Sequence, residues 1–158
     1  MKTYMTILLF LIITNGRAYK LDNAPELAKT HREKAYKIIR VKSTVYTTSI
    51  DETDSEPLIT ASGYKIDTNK LNSGKLRIIA VSQDLLKMNG GFINWGDTLR
   101  IYSPEWRFSG NFIVQDCKNK RYKNSIDFLK PLKHFKTQGA HKVAKYTVPA
   151  NVTIIVKI

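Results

Sequence analysis

The chain is 158 residues long and carries 26 Lys and Arg against 13 Asp and Glu, a net charge of +13, with a single cysteine. That length suits one domain with a sizeable core. A lone cysteine excludes an intrachain disulfide, and so strong a positive charge points to anionic partners rather than to any particular fold.

The amino terminus reads as an export signal over residues 1–18. Lys2 precedes an apolar run from Met5 to Ile13, and Asn15-Gly16-Arg17-Ala18 sets small residues where a signal peptidase cuts. The run is too short to span a membrane, and no later segment approaches the roughly 20 apolar residues a span needs. Only Lys2 and Arg17 among the cations lie in this leader, so the remainder keeps 24 cations against 13 acids. On an exported chain that excess directs attention to anionic cell-surface polymers or lipid headgroups, not to nucleic acid. The expected location is the periplasm or cell envelope, or the medium outside it.

Residues 19–42 read as a helical or flexible tether. Asp22 or Asn23 caps a helix with Pro25 in its first turn, and Leu27, His31, Ala35 and Ile38/Ile39 recur at helical spacing. Glu33 and Lys37 fit an i,i+4 pair, and His31 is expected to be exposed.

The pattern turns to β from Ser43, and residues 43–158 are expected to form one domain. Thr44 to Ile50 is rich in threonine and β-branched residues, an acidic turn covers 51–57, and Arg77 to Val81 suits a strand covered on both sides. Ser82 to Met88 suggests one or two helical turns ended by Asn89-Gly90-Gly91. Thr98 to Tyr102 alternates, as do Val152, Ile154, Val156 and Ile158. A short helix near Leu129 to Phe135 is interrupted at Pro131. At least six short strands between Gly/Pro turns, with little helix, predict a mainly β fold closed into a small barrel.

The most informative stretch is Val114 to Leu129, VQDCKNKRYKNSIDFL. It reads as strand, polar turn and strand, with Asp116 and Asp127 at the ends of the turn and Lys118, Lys120, Arg121 and Lys123 between them. Either the two carboxylates share a site, or this is an ordinary hairpin whose aspartates cap turns and balance lysines. Cys117 is a candidate nucleophile only if His31, His134 or His141 folds against it, and small buried cysteines are common. Three scattered histidines and one thiol lack ligand spacing, so no metal or cofactor is expected.

Several fragments fall in a recognisable order: Thr60-Ala61-Ser62-Gly63, Arg77 to Val81, Gly96 to Ile101, Val114-Gln115-Asp116 and Asn119 to Leu129. Together they resemble the 3D domain, named for three aspartates, found in MltA-type lytic transglycosylases and stationary-phase survival-type proteins and related to RlpA-like double-psi β-barrels. The resemblance implies a six-stranded double-psi barrel with short helices. It places the second and third aspartates on Asp116 and Asp127. The first falls at Ser82, with Asp84 two residues on, and Cys117-Lys118-Asn119-Lys120 replaces the usual glycine-rich segment.

The resemblance further implies cleavage of the bond between N-acetylmuramic acid and N-acetylglucosamine in peptidoglycan. Asp127 acts first as acid and then as base, and Asp116 orients it or raises its pKa. Ser82 and Asp84 are the supporting candidates. Tyr64, Trp95, Trp106 and Tyr122 are candidates for stacking on sugar rings, with Trp106 favoured by its polar loop. The loop cations Lys118, Lys120, Arg121 and Lys123 would depress the Asp127 pKa if they point inward, but in a turn they can face solvent and meet anionic wall polymer, with Lys120 and Arg121 as the binding candidates. A protein of another class also fits, a peptidoglycan-binding or glycan-binding barrel that does not cleave; on either reading a monomer is expected.

Overall fold

The computed structural model describes residues 35–158 except 51, 53, 54, 139, 140 and 146. The leader expected over 1–18 and the tether as far as residue 34, with His31 and Glu33, lie outside the described residues.

Six strands close into a barrel in the order β1-β5-β2-β4-β3-β8. They are β1 (Tyr36–Tyr46), β2 (Ile78–Val81), β3 (Thr98–Tyr102), β4 (Gly110–Cys117), β5 (Ser125–Leu129) and β8 (Asn151–Lys157). The β1–β5 and β2–β4 pairings are parallel and the other four antiparallel. A separate two-stranded sheet joins β6 (Phe135–Gln138) to β7 (His141–Ala144). The one α-helix among the described residues, α1 (Thr68–Asn72), is a short turn capped by Asp67, whose carboxylate accepts from the Lys70 N–H at 3.0 Å. The fold is thus the mainly β, six-stranded double-psi barrel with short helices that the sequence predicts.

Alternation fills the barrel. Val152, Ile154 and Val156 of β8 face Leu99 and Ile101 of β3, Ile79 and Val81 of β2, and Ile126 and Phe128 of β5 in one core. Burying each such side chain contributes about 1.5–3 kcal/mol. Phe128 meets Phe108 and Phe112 edge-to-face at 4.8 and 4.9 Å. All four residues of β2 are buried because Ile78 faces outward into a second cluster with Ile66, Leu71, Leu76 and Leu129. That cluster explains why Arg77 to Val81 reads as a continuous apolar run.

One boundary differs from expectation. Residues 36–42, assigned to the tether, are strand, and they pair with β8 along their whole length. The β-branched Ile38, Ile39, Val41, Thr44 and Val45 favour an extended chain, and Val41 and Ser43 alternate inward. Lys37 therefore lies in a strand, its ammonium 4.0 Å from the Phe92 ring centroid, rather than along a helix from Glu33. The turns expected over 82–88 are two 3₁₀ turns, 83–85 and 87–89, stopped by Gly90 at φ +87°.

Candidate functional site

Asp116 and Asp127 come to one cleft because both pair with Ala80. In the parallel β2–β4 ladder Ile79 pairs with Val114 but Ala80 pairs with Asp116, so Gln115 is an extra residue, a β-bulge. In unbroken alternation Asp116 would share the core-facing side of Val114. The bulge reverses this: Val114 and Cys117 pack on the core and Asp116 turns to the cleft. On the other flank Ala80 pairs with Asp127, which alternates between the buried Ile126 and Phe128. The cleft has a volume of about 640 Å³ and also takes in Tyr46, Glu52, Ala61, Lys118, Arg121 and Tyr122.

The Asp116 carboxylate is held by three donors. Oδ1 accepts from the N–H of Ala61 at 3.1 Å and of Cys117 at 2.9 Å, and Oδ2 accepts from the Tyr46 hydroxyl at 2.8 Å. The turn that supplies Ala61 is fastened to the bulge itself. The Ser62 hydroxyl donates to Gln115 Oε1 at 2.6 Å, and the Ser62 N–H donates to the Gln115 carbonyl at 3.2 Å. Burial, the Asp116 charge and hydrogen bond, and the Asp127 charge together hold the Tyr46 phenol well above its usual pKa, so it remains a donor. Asp116 thus fixes the Tyr46 ring against the turn at the cleft wall.

Asp127 has a different environment. Its side chain is 19% exposed, Oδ2 accepts from Lys118 Nζ at 3.2 Å, and Oδ1 is buried without a hydrogen-bond partner. Burial raises its pKa above the usual carboxylate value and the Glu52 charge adds to this. The Lys118 ammonium and the Thr44 hydroxyl pull the other way, and burial prevails. Burial is the leading cause of the raised value.

Of the two placements open to the loop cations, Lys118 takes the inward one. Its N–H bonds the Val81 carbonyl at 2.9 Å, extending the β2–β4 ladder by one residue and turning the side chain to the cleft beside Asp116. The side chain is 6% exposed, and Nζ donates to Thr44 Oγ1 at 2.6 Å as well as to Asp127. Tyr122 and Arg121 stand at the cleft, the guanidinium donating to the phenol oxygen at 2.9 Å. Lys120 is exposed and does not line it.

Other candidates lie elsewhere. Ser82 is fully buried, and its hydroxyl accepts from the Ser125 N–H at 3.0 Å. Asp84 accepts from the Asn124 N–H at 3.1 Å, anchoring the last residue of the basic loop. Burial would raise its pKa, but the Ser82 hydroxyl, that N–H and the Lys123 charge lower it further. Neither residue lines the cleft, because strand β2 ends before them and the 3₁₀ turn carries them to the far end of β5. Trp95 packs on the barrel core and Tyr64 on the second cluster. Trp106 is 73% exposed but lines a separate hollow.

Cys117 is half-buried, and burial and the Asp116 charge raise its pKa, which disfavours a thiolate. His134 lines the other hollow rather than the cleft. Among the described residues no group of three or more His, Cys, Asp and Glu is placed to hold a metal ion, and no helix is long and apolar enough to cross a membrane. No protein-family model and no curated protein matches the chain.

Proposed function

We propose that this is an exported cell-wall-active protein, a lytic transglycosylase of the 3D and RlpA-like type, and that Asp127 does its chemistry. The observation that carries the proposal is a carboxyl kept above its usual pKa by burial, at a cleft with room for sugars, beside a second, firmly held aspartate. The Asp127 carboxyl protonates the oxygen linking N-acetylmuramic acid to N-acetylglucosamine, and the bond from that oxygen to the muramyl C1 breaks. The resulting carboxylate then takes the proton of the muramyl 6-hydroxyl, whose oxygen bonds to C1. A 1,6-anhydro ring closes, no water is consumed and Asp127 ends protonated. Lys118 steadies the carboxylate between the two transfers, while Asp116 and Tyr46 shape the wall against which the sugar rests.

A second reading, a glycan-binding module without cleavage, is favoured by the same lysine. An ammonium 3.2 Å from Asp127 favours the ionised carboxyl, and one carboxyl oxygen lies out of reach of water. The two readings separate in one assay: the purified protein is incubated with insoluble peptidoglycan, and the soluble fraction is searched by mass spectrometry for anhydromuropeptides. Product from the wild type and loss of about 10²–10⁴-fold in Asp127→Asn supports the transglycosylase. Co-sedimentation of both proteins without product selects the binding module.

A further inference from the structure

A second hollow, of about 540 Å³, shares no lining residue with the acid cleft. Arg77, Arg107, Lys130 and His134 line it, and among the described residues that do so none is acidic. The Arg107 side chain is paired to Glu105 at 2.7 Å, outside the lining. Two of the cations are built in. Arg77 Nη2 donates to the carbonyls of Arg107 and Ser109 at 3.3 and 2.8 Å, with its guanidinium carbon 4.0 Å from the Phe112 ring centroid. Lys130 Nζ donates to the Arg107 carbonyl at 3.1 Å and sits 4.6 Å from the Phe108 centroid.

Two side chains aimed at one carbonyl oxygen bring their like charges together. The crowding shows in Lys130, whose pKa is pushed down to about 8 by burial and by the charges of Arg77 and Arg107. His134 is lowered too, by burial first and then by Lys130, Lys133, Lys145 and Arg107. Beside them Trp106 leaves 73% of its surface in solvent, with the Arg107 guanidinium carbon 4.8 Å from its ring centroid.

We infer that this hollow binds a phosphate ester carried on a sugar, the phosphate among Arg77, Arg107 and Lys130 and the ring against Trp106. Guanidinium groups match phosphate oxygens in geometry as well as charge, and the volume lies within the range of small-molecule sites. Backbone carbonyls and aromatic rings already hold Arg77 and Lys130, so little side-chain freedom remains to be lost on binding. The inference is independent of the chemistry proposed for Asp127.

Isothermal titration of the full chain at fixed ionic strength tests it, with glucose 6-phosphate, its methyl diester, inorganic phosphate and glucose as probes. Glucose 6-phosphate is expected to bind more tightly than inorganic phosphate, and glucose not at all. Lys130→Gln and the exposed Arg107→Gln should each weaken binding about tenfold, the loss of one charge-assisted contact. Trp106→Ala should reduce glucose 6-phosphate to the affinity of inorganic phosphate. Lys87→Gln, the same charge change at an exposed turn, should alter nothing. Binding of the diester as well as the monoester indicates a phosphodiester polymer as the source, and binding of the monoester alone a soluble sugar phosphate. The inference is overturned if neither phosphate binds, or if Lys130→Gln and Arg107→Gln bind as Lys87→Gln does, which would leave net charge as the only cause.

Discussion

Asp116 and Asp127 pair with the same residue, Ala80, from the two strands that flank β2. Their backbones are therefore two strand spacings apart, about 10 Å, and a methyl group is all that β2 itself presents between them. Ala80→Leu should fill that gap. The peptidoglycan binding proposed for this cleft should then be lost, while the fold remains with a loss of about 1–3 kcal/mol from overpacking. Urea unfolding checks the fold and co-sedimentation checks the binding. Unaltered binding in a folded variant would remove the space between the two acids from the account.

Lys118 and Asp127 form a buried pair, so neither tolerates loss of the other alone. Lys118→Met leaves a desolvated carboxyl without its cation, and Asp127→Asn leaves a desolvated ammonium. Each should cost about 3–5 kcal/mol, and the double variant less than the sum. Additive losses in chemical denaturation would mean that the pair contributes no coupling.

Tyr46 donates to a carboxylate that has two other donors. Tyr46→Phe should cost about 1.5–3 kcal/mol, as expected for a hydrogen bond to a charged group, and should loosen the turn at Ala61. Amide exchange at Ala61 and Ser62 reads the loosening directly; protection as in the wild type would show that the bonds of Ala61 to Asp116 and of Ser62 to Gln115 hold the turn without Tyr46.

The raised pKa of Asp127 makes stability depend on pH in a fixed direction. Between its unfolded value, near 3.8, and its higher folded value, the native state binds more protons than the unfolded state. The contribution of this group is therefore full below 3.8 and is lost as pH rises through the folded value. The melting temperature of the wild type relative to Asp127→Asn should fall across that window. A difference that grows with rising pH would mean that Lys118 outweighs burial.

Much of the barrel was legible because its strands announce themselves by alternation. Thr98 to Tyr102 is found as predicted, and the strand predicted at the end of the chain is β8. The start of β1 was not, because Ile38 and Ile39 suit a helical stripe as well as a strand, and the pairing with β8, which sets Ile39 against Ile154, decides between them only in three dimensions. The Asp116–Asp127 pair was legible as a spacing, but the bulge at Gln115 that turns Asp116 toward the cleft leaves no mark in a hydrophobic pattern. Four cations in one loop look alike in sequence; only Lys118, adjoining β4, is carried inward by the ladder. Trp106, favoured as a sugar-stacking residue for its polar loop, is exposed but lies at the other hollow, since no local pattern tells which cavity a loop borders.

The account rests on burial outweighing Lys118 in setting the pKa of Asp127. The direct measurement is a ¹³C NMR titration of the aspartate carboxyl carbons, with the Asp127 signal assigned by its absence from Asp127→Asn. A midpoint above the ordinary 3.8 is predicted. A midpoint at or below 3.8 would contradict it, leaving Asp127 the ionised half of a salt bridge with no proton to donate.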